Sequence, residues 1–206
     1  MANRLKEMAE KFVSEPLNYM DYQSLFPKAE KPVYEKINKW CKKYVDTQEM
    51  DECYEKAEFP EFLLKPLQEL NIAQYFVGKQ HGGNSFSTLG QGMILATLAS
   101  YDASVALFVM LQAPLCGKTI EKLATEEQKN QYLPDLLSFR KIWGWALTEE
   151  KVGSNAAQIQ TNVQTNKGGY VLNGNKRWIG NGNGDHLIVY AKNLETKKVE
   201  GNSGYI

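Results

Sequence analysis

Residues 145–155 read WALTEEKVGSN and residues 168–181 read GGYVLNGNKRWIGN, joined by the polar run AAQIQTNVQTNK. This stretch decides the fold because hydrophobic residues change their period here. Ile159, Thr161 and Val163 alternate with Gln160, Asn162 and Gln164, the period-two signature of a half-buried strand. Residues 143–147 predict a short apolar strand that runs into a polar turn. Residues 169–172 and 175–179 flank Asn173-Gly174, which predicts a two-residue hairpin turn. Residues 185–191 predict a further strand, residues 192–201 a charged hairpin loop, and Gly204-Tyr205-Ile206 the start of another strand.

Upstream the period is helical. Val33, Ile37, Trp40, Cys41 and Tyr44 fall on one helix face. Residues 62–70 predict a shorter helix entered through Pro60, and the HGGN at 81–84 predicts a loop. Thr125 and Gln128 form a T-x-x-Q capping box that starts a helix, which Pro134 is expected to disturb. Residues 93–111 are long and apolar, but Asp102 sits among them. An ionised carboxylate at a bilayer centre costs roughly 2.5–3.5 kcal/mol. The segment therefore reads as a buried core helix, with Asp102 capping or bonding nearby backbone. Helices followed by strands indicate an α+β chain. The expected organisation is an N-terminal extension over 1–27, a helical domain over 28–141 and a partial β-barrel over 142–206.

Composition narrows the function. Lys+Arg and Asp+Glu both total 24, so no global field gathers nucleic acid or anionic lipid. Cys41, Cys53 and Cys116 lack paired spacing, which reads as reduced thiols in an intracellular protein rather than a disulfide framework or metal knuckle. His81 and His186 show neither triad nor metal spacing, so no metal site is expected. The N-terminus has helical spacing at Leu5, Met8, Phe12 and Val13, yet carries Glu7, Glu10 and Glu15, unlike an acidic-poor transit peptide. No clear targeting signal is read, and Gly-Tyr-Ile is not a peroxisomal ending.

The loop at 148–155 offers Thr148 and Ser154 hydroxyls and, around Gly153, backbone that a ligand can approach. It is neither a P-loop nor a dinucleotide fingerprint, and on composition it equally suits an ordinary polar turn. Trp178 suits either a wall for a flat cofactor or a place in a sheet core. Lys176 and Arg177 suit either phosphate binding or strand surface. Glu149 and Glu150, adjacent in a loop, read as solvated.

Trp145-Ala146-Leu147-Thr148-Glu149 with Gly153-Ser154, followed by Lys176-Arg177-Trp178-Ile179-Gly180-Asn181, resembles the acyl-CoA dehydrogenase and acyl-CoA oxidase flavoprotein family. The likeness is strongest to its short-chain oxidase and glutaryl-CoA dehydrogenase branch. Glu126-Glu-Gln-Lys, Gln131-Tyr-Leu-Pro134 and Tyr54-Glu-Lys-Ala-Glu-Phe-Pro60 extend it upstream. The resemblance implies FAD held against a middle β-barrel. Trp145, Ala146, Leu147 and Thr148 would line the flavin, and Gly153 and Ser154 would lie near the pyrophosphate and acyl-CoA. Trp178, Ile179 and Gly180 would flank the ring, with Ser154 also touching substrate. The reaction implied is removal of a proton from Cα and a hydride from Cβ of an acyl-CoA, with the hydride passing to the flavin.

The chain departs from the pattern in places. Gly180 stands where many dehydrogenases carry a threonine, Glu150 replaces a proline and Asn155 an aspartate. Residues 102–110 have no arginine, which argues against a dicarboxylyl-CoA substrate. The family's C-terminal four-helix domain, which supplies the catalytic glutamate, has no counterpart here, so no catalytic residue is assigned. The resemblance implies a mitochondrial or peroxisomal setting and a protein partner or second subunit covering an open barrel edge. The alternative is a non-catalytic interaction subunit descended from this family.

Overall fold

The computed structural model describes residues 27, 28, 30–195 and 202–206. The helical spacing at Leu5 to Val13 and most of the charged loop at 192–201 lie outside the described residues. The chain divides into two compact units, Met1–Met110 and Leu111–Ile206.

The first unit is helical. Helix α1 (Lys31–Tyr44) starts with proline near its N-terminus and buries Ile37, Trp40 and Cys41. It packs against α4 (Thr88–Tyr101) and touches α3 (Leu64–Leu70). The Trp40 indole N–H donates to the Pro66 carbonyl at 3.3 Å, and the Lys36 ammonium donates to that of Leu70 at 3.2 Å. Helix α2 (Gln48–Lys56) is capped by Thr47 and closes on Ala57 in the left-handed region, at φ 53°. Residues 79–84 form a short 3₁₀ turn and a loop, as the paired glycines predict.

The long apolar segment is two helices rather than one. Asp102 adopts extended backbone, ends α4, and its Oδ1 accepts the Val105 N–H at 2.8 Å to start α5 (Ala103–Met110). The carboxylate caps as expected; the uninterrupted helix does not form, because capping requires Asp102 itself to leave helical geometry. By length and composition the helical run Ala103–Leu123 could cross a membrane, and 56% of its most apolar window is buried in the protein. Burial raises the Cys41 and Cys116 thiols to about 12, which makes both inert at neutral pH.

The second unit opens with a wide π-type turn, Leu111–Gly117, then α6 (Lys118–Leu123) and α7 (Glu126–Leu137). The Thr125–Gln128 capping box is present in both directions. Helix α7 runs on to Leu137 with Pro134 inside it, so the proline does not end it. Packing by buried Leu133, Leu136 and Leu137 holds the last turn together.

Among the described residues five strands make one mixed sheet: β1 (Trp143–Ala146), β2 (Asn162–Asn166), β3 (Gly169–Asn173), β4 (His186–Asn193) and β5 (Asn202–Tyr205). Strand β1 lies parallel to β4, with Trp143 opposite His186 and Ala146 opposite Val189. Strands β2 and β3 form an antiparallel hairpin, β2 runs parallel to the end of β4, and β5 is antiparallel to β4. The predicted alternation holds: Ile159, Thr161 and Val163 are buried and Gln160 and Gln164 exposed. Strand β3 is an edge that exposes Tyr170, Val171 and Leu172.

The hairpin turn differs from expectation. The strands turn at Lys167-Gly168, closed by the pair Asn166 and Gly169, while Asn173 pairs with Asn162 inside the ladder. Gly174 instead passes the Thr161 backbone so closely that a Cβ there would sit 2.7 Å from the Thr161 Cα, and its φ is +157°. That glycine permits a close crossing rather than a turn. Residues 175–179 therefore form no strand; they cross toward the end of β1.

Candidate functional site

The site is built where that crossing meets the end of β1. The Arg177 N–H donates to the Thr148 carbonyl at 2.9 Å. The Lys176 ammonium donates to the Leu147 carbonyl at 2.8 Å and to Glu149 Oε1 at 2.9 Å. Five residues later the Asn181 side-chain amide donates to the Trp143 carbonyl at 3.0 Å. A Cβ on Gly144 would lie 2.9 Å from the Asn181 carbonyl oxygen, so the small residue in β1 lets this loop press against the strand. Pinned at both ends, Trp178, Ile179 and Gly180 form an arch beside β1.

Trp178 is the exposed element of the arch. It is 80% exposed and sits at φ 61°, with the Arg177 guanidinium 4.5 Å from its ring centroid. The sheet-core reading of this tryptophan is therefore excluded. Left-handed backbone at a bulky residue costs roughly 1–2 kcal/mol, and apolar burial does not repay it here. Asn181 at φ 57° closes the arch. Ile179 and Gly180 are half-buried, and a Cβ on Gly180 would meet the Leu111 side chain at 2.3 Å.

On the strand, Ala146 is buried and Trp145 half-buried, its indole N–H donating to the Tyr190 hydroxyl at 3.2 Å. Leu147 and Thr148 are half-buried and contribute their carbonyls to the arch. Glu149 and Val152 exchange backbone hydrogen bonds and close a tight turn. Gly153 and Ser154 follow that turn, both exposed, with open space around the Gly153 Cα. The structure thus ties Leu147 and Thr148 to Lys176 and Arg177, the residues that lead into Trp178, Ile179 and Gly180, with Trp145 and Ala146 earlier on the same strand, and leaves Gly153 and Ser154 outside these hydrogen bonds.

Glu149 corrects the expectation of a solvated carboxylate. Its side chain is 7% exposed and that of Lys176 10%. Oε2 accepts the Gln160 N–H at 2.6 Å and Oε1 the Thr161 N–H at 2.8 Å. Burial pushes the Glu149 carboxyl up, but hydrogen bonds from Thr161, Gln160 and Lys176 outweigh it and hold the group down at about 2. Lys176 accordingly serves neither as strand surface nor as an open phosphate ligand. Adjacent side chains gave no local sign of this, because the partners are 27 residues apart.

A carboxylate held below its unfolded value stabilises the fold above that value and loses the contribution as pH falls through the folded one. The thermal midpoint of the wild-type chain is therefore expected to exceed that of Glu149→Gln above about pH 5. The gap should close as pH falls from 4.5 toward 2. A gap unchanged across that window would show that the charge contributes nothing.

The two histidines play no part in the arch. His186 stacks on Trp143 with centroids 4.4 Å apart, next to Asp185, which accepts the Ile142 N–H at 2.8 Å. Among the described residues no group of three or more His, Cys, Asp or Glu could hold a metal.

The fold and the arch define an α+β protein with a helical unit followed by a sheet-containing unit, with a candidate site at a strand end. The acyl-CoA dehydrogenase N-terminal domain family matches residues 27–140, and the acyl-CoA dehydrogenase middle domain family matches 144–205. The chain belongs to the acyl-CoA dehydrogenase family. It is 34% identical over 154 residues to the mitochondrial isobutyryl-CoA dehydrogenase of Dictyostelium discoideum, covering 74% of this chain and 36% of that protein. It is 33% identical to the mitochondrial isovaleryl-CoA dehydrogenase of Bos taurus, covering 70% of this chain and 34% of the relative. A glutaryl-CoA dehydrogenase from Mycobacterium smegmatis in complex with FADH2 superposes with TM-score 0.78 at 28% identity, over 92% of this chain and 48% of that one. The chain thus spans about a third of the length of these curated relatives.

Proposed function

We propose that this chain forms the flavin-side portion of an enzyme that dehydrogenates an acyl-CoA between Cα and Cβ. The observation that carries the reading is the arch, which holds an exposed tryptophan beside the strand end bearing Trp145, Ala146, Leu147 and Thr148. An exposed indole held at an unfavourable φ suits a flat conjugated ligand better than it suits the fold. FAD fits those residues and, when bound, supplies the hydride acceptor. Trp178, with Ile179 and Gly180, would orient the ring, and Thr148 would hydrogen-bond its polar edge. Gly153 and Ser154, open to solvent beyond the turn, would meet the pyrophosphate and the acyl-CoA, with Ser154 touching substrate.

The base that takes the Cα proton comes from another polypeptide segment. Glu149, the carboxylate next to Thr148, is tied to two amides and an ammonium, and a group held at about 2 is a weak acceptor at neutral pH. Glu150 is exposed and faces Arg177 at 3.6 Å. The exposed edge strand β3, with Tyr170, Val171 and Leu172, supports a protein partner or second subunit on the sheet unit. The relatives described as mitochondrial support a mitochondrial setting.

The test is spectroscopic. Purified with its native partners, the chain is expected to carry near-equimolar flavin, bleached by isobutyryl-CoA, while residues 1–206 alone give no turnover. An assembly without flavin that fails to take up added FAD would end the flavin reading. Robust turnover by 1–206 alone would end the claim about the base.

A further inference from the structure

At the foot of the arch, where the chain enters it, lies an ion pair that the proposed chemistry does not use. The Lys176 ammonium bonds at once to the Leu147 carbonyl and to Glu149 Oε1, and Glu149 bonds onward to the amides of Gln160 and Thr161. Three separate segments meet there: the end of β1, the approach to β2 and the crossing after β3. The next residue, Arg177, makes the backbone bond to Thr148, and the one after is Trp178.

We infer that Lys176 and Glu149 form a buried latch that sets the position of Trp178 relative to Thr148, and are positioning residues for the flavin site. The inference takes its ligand from the flavin reading above, but the latch itself is a property of the free chain. The pair is nearly excluded from water, so its partners are not readily replaced by solvent. Each side chain satisfies more than one group, which fixes direction as well as distance. Adjacent pairs of this kind on a protein surface would contribute little. Here the pair stands two residues before an aromatic residue that burial does not hold in place, so the latch and the Arg177–Thr148 bond control where the indole goes. Small displacements of a positioning group can cost up to about a hundredfold in function.

The test compares the full chain, Lys176→Met, Trp178→Ala and the double variant. Methionine keeps the length of the stem and removes the ammonium. Two quantities are read: amide hydrogen exchange, and FAD binding by flavin fluorescence. Lys176→Met is expected to speed exchange of the Arg177 amide about tenfold or more, with the β4 amides unchanged. It should weaken FAD binding about tenfold in the wild-type background and less than about twofold beside Trp178→Ala, because a positioning effect disappears with the group it positions. A residue with a merely structural role would give equal losses in both backgrounds, and that result overturns the inference. So does an Arg177 amide that keeps its protection, or β4 amides that lose theirs to the same degree. If the unmodified chain, assembled with its native partners, binds no FAD, the flavin reading fails, and the exchange measurement alone decides the latch.

Discussion

Replacing Gln112 with alanine is expected to lower the unfolding free energy of the second unit by about 3–5 kcal/mol. Gln112 is fully buried within the π-type turn. Its amide N–H₂ donates to the Leu136 carbonyl at 2.9 Å and the Lys141 carbonyl at 2.8 Å, and its oxygen accepts the Trp143 N–H at 2.8 Å. One side chain therefore satisfies the end of α7, the linker after it and the first residue of β1. Alanine strands all three backbone groups, and each buried group left unpaired costs roughly 1–3 kcal/mol. Glu at the same position should be no better, since it loses the donors and places a carboxylate against two carbonyls. Urea unfolding of the wild type and Gln112→Ala measures the difference. A loss under about 1 kcal/mol would mean that water replaces the amide.

Trp178→Gly should separate stability from ligand binding. The side chain is 80% exposed and its φ is 61°, so folding gains little from the indole and bears the strain of its backbone. Glycine removes that strain, and the unfolding free energy is expected to stay level or rise by up to about 1 kcal/mol. FAD affinity is expected to fall about five- to a hundredfold, the range for loss of one aromatic side chain stacked on a flat heterocyclic base. Equilibrium unfolding together with a flavin titration gives both numbers. A clear loss of stability without loss of affinity would assign Trp178 to the fold and not to the site.

Much of this fold could be read in the sequence because its signals are local. The alternation around Ile159 to Val163, the Thr125–Gln128 box and the capping role of Asp102 each depend on residues a few positions apart. The misread turn shows the limit. Asn173-Gly174 and Lys167-Gly168 both offer a glycine at hairpin distance, and the choice is made by the close crossing of Gly174 over Thr161, which no local pattern encodes. The site divides in the same way. The motifs around Trp145 and Trp178 could be found, whereas the buried Glu149–Lys176 pair could not, because two charged residues 27 apart look like ordinary surface until the backbone brings them together. Gln112 left no signal either, since a polar residue in an apolar run reads as a flaw in the helix pattern.

The register of β1 against β4 also bears on the order of folding. Trp143 pairs with His186 across a long stretch of chain that contains the β2–β3 hairpin. Hairpins form in microseconds from neighbouring residues, whereas parallel pairing across such a span must first overcome a large closure entropy. The hairpin is thus expected to be in place before the strand end that carries the arch. The proposed ligand-binding surface is then expected to be among the last parts of the unit to form during folding, so that a nascent or partly unfolded chain presents none of it. Ligand occupancy would report completed folding, and a bound ligand would slow unfolding at the step where β1 leaves β4.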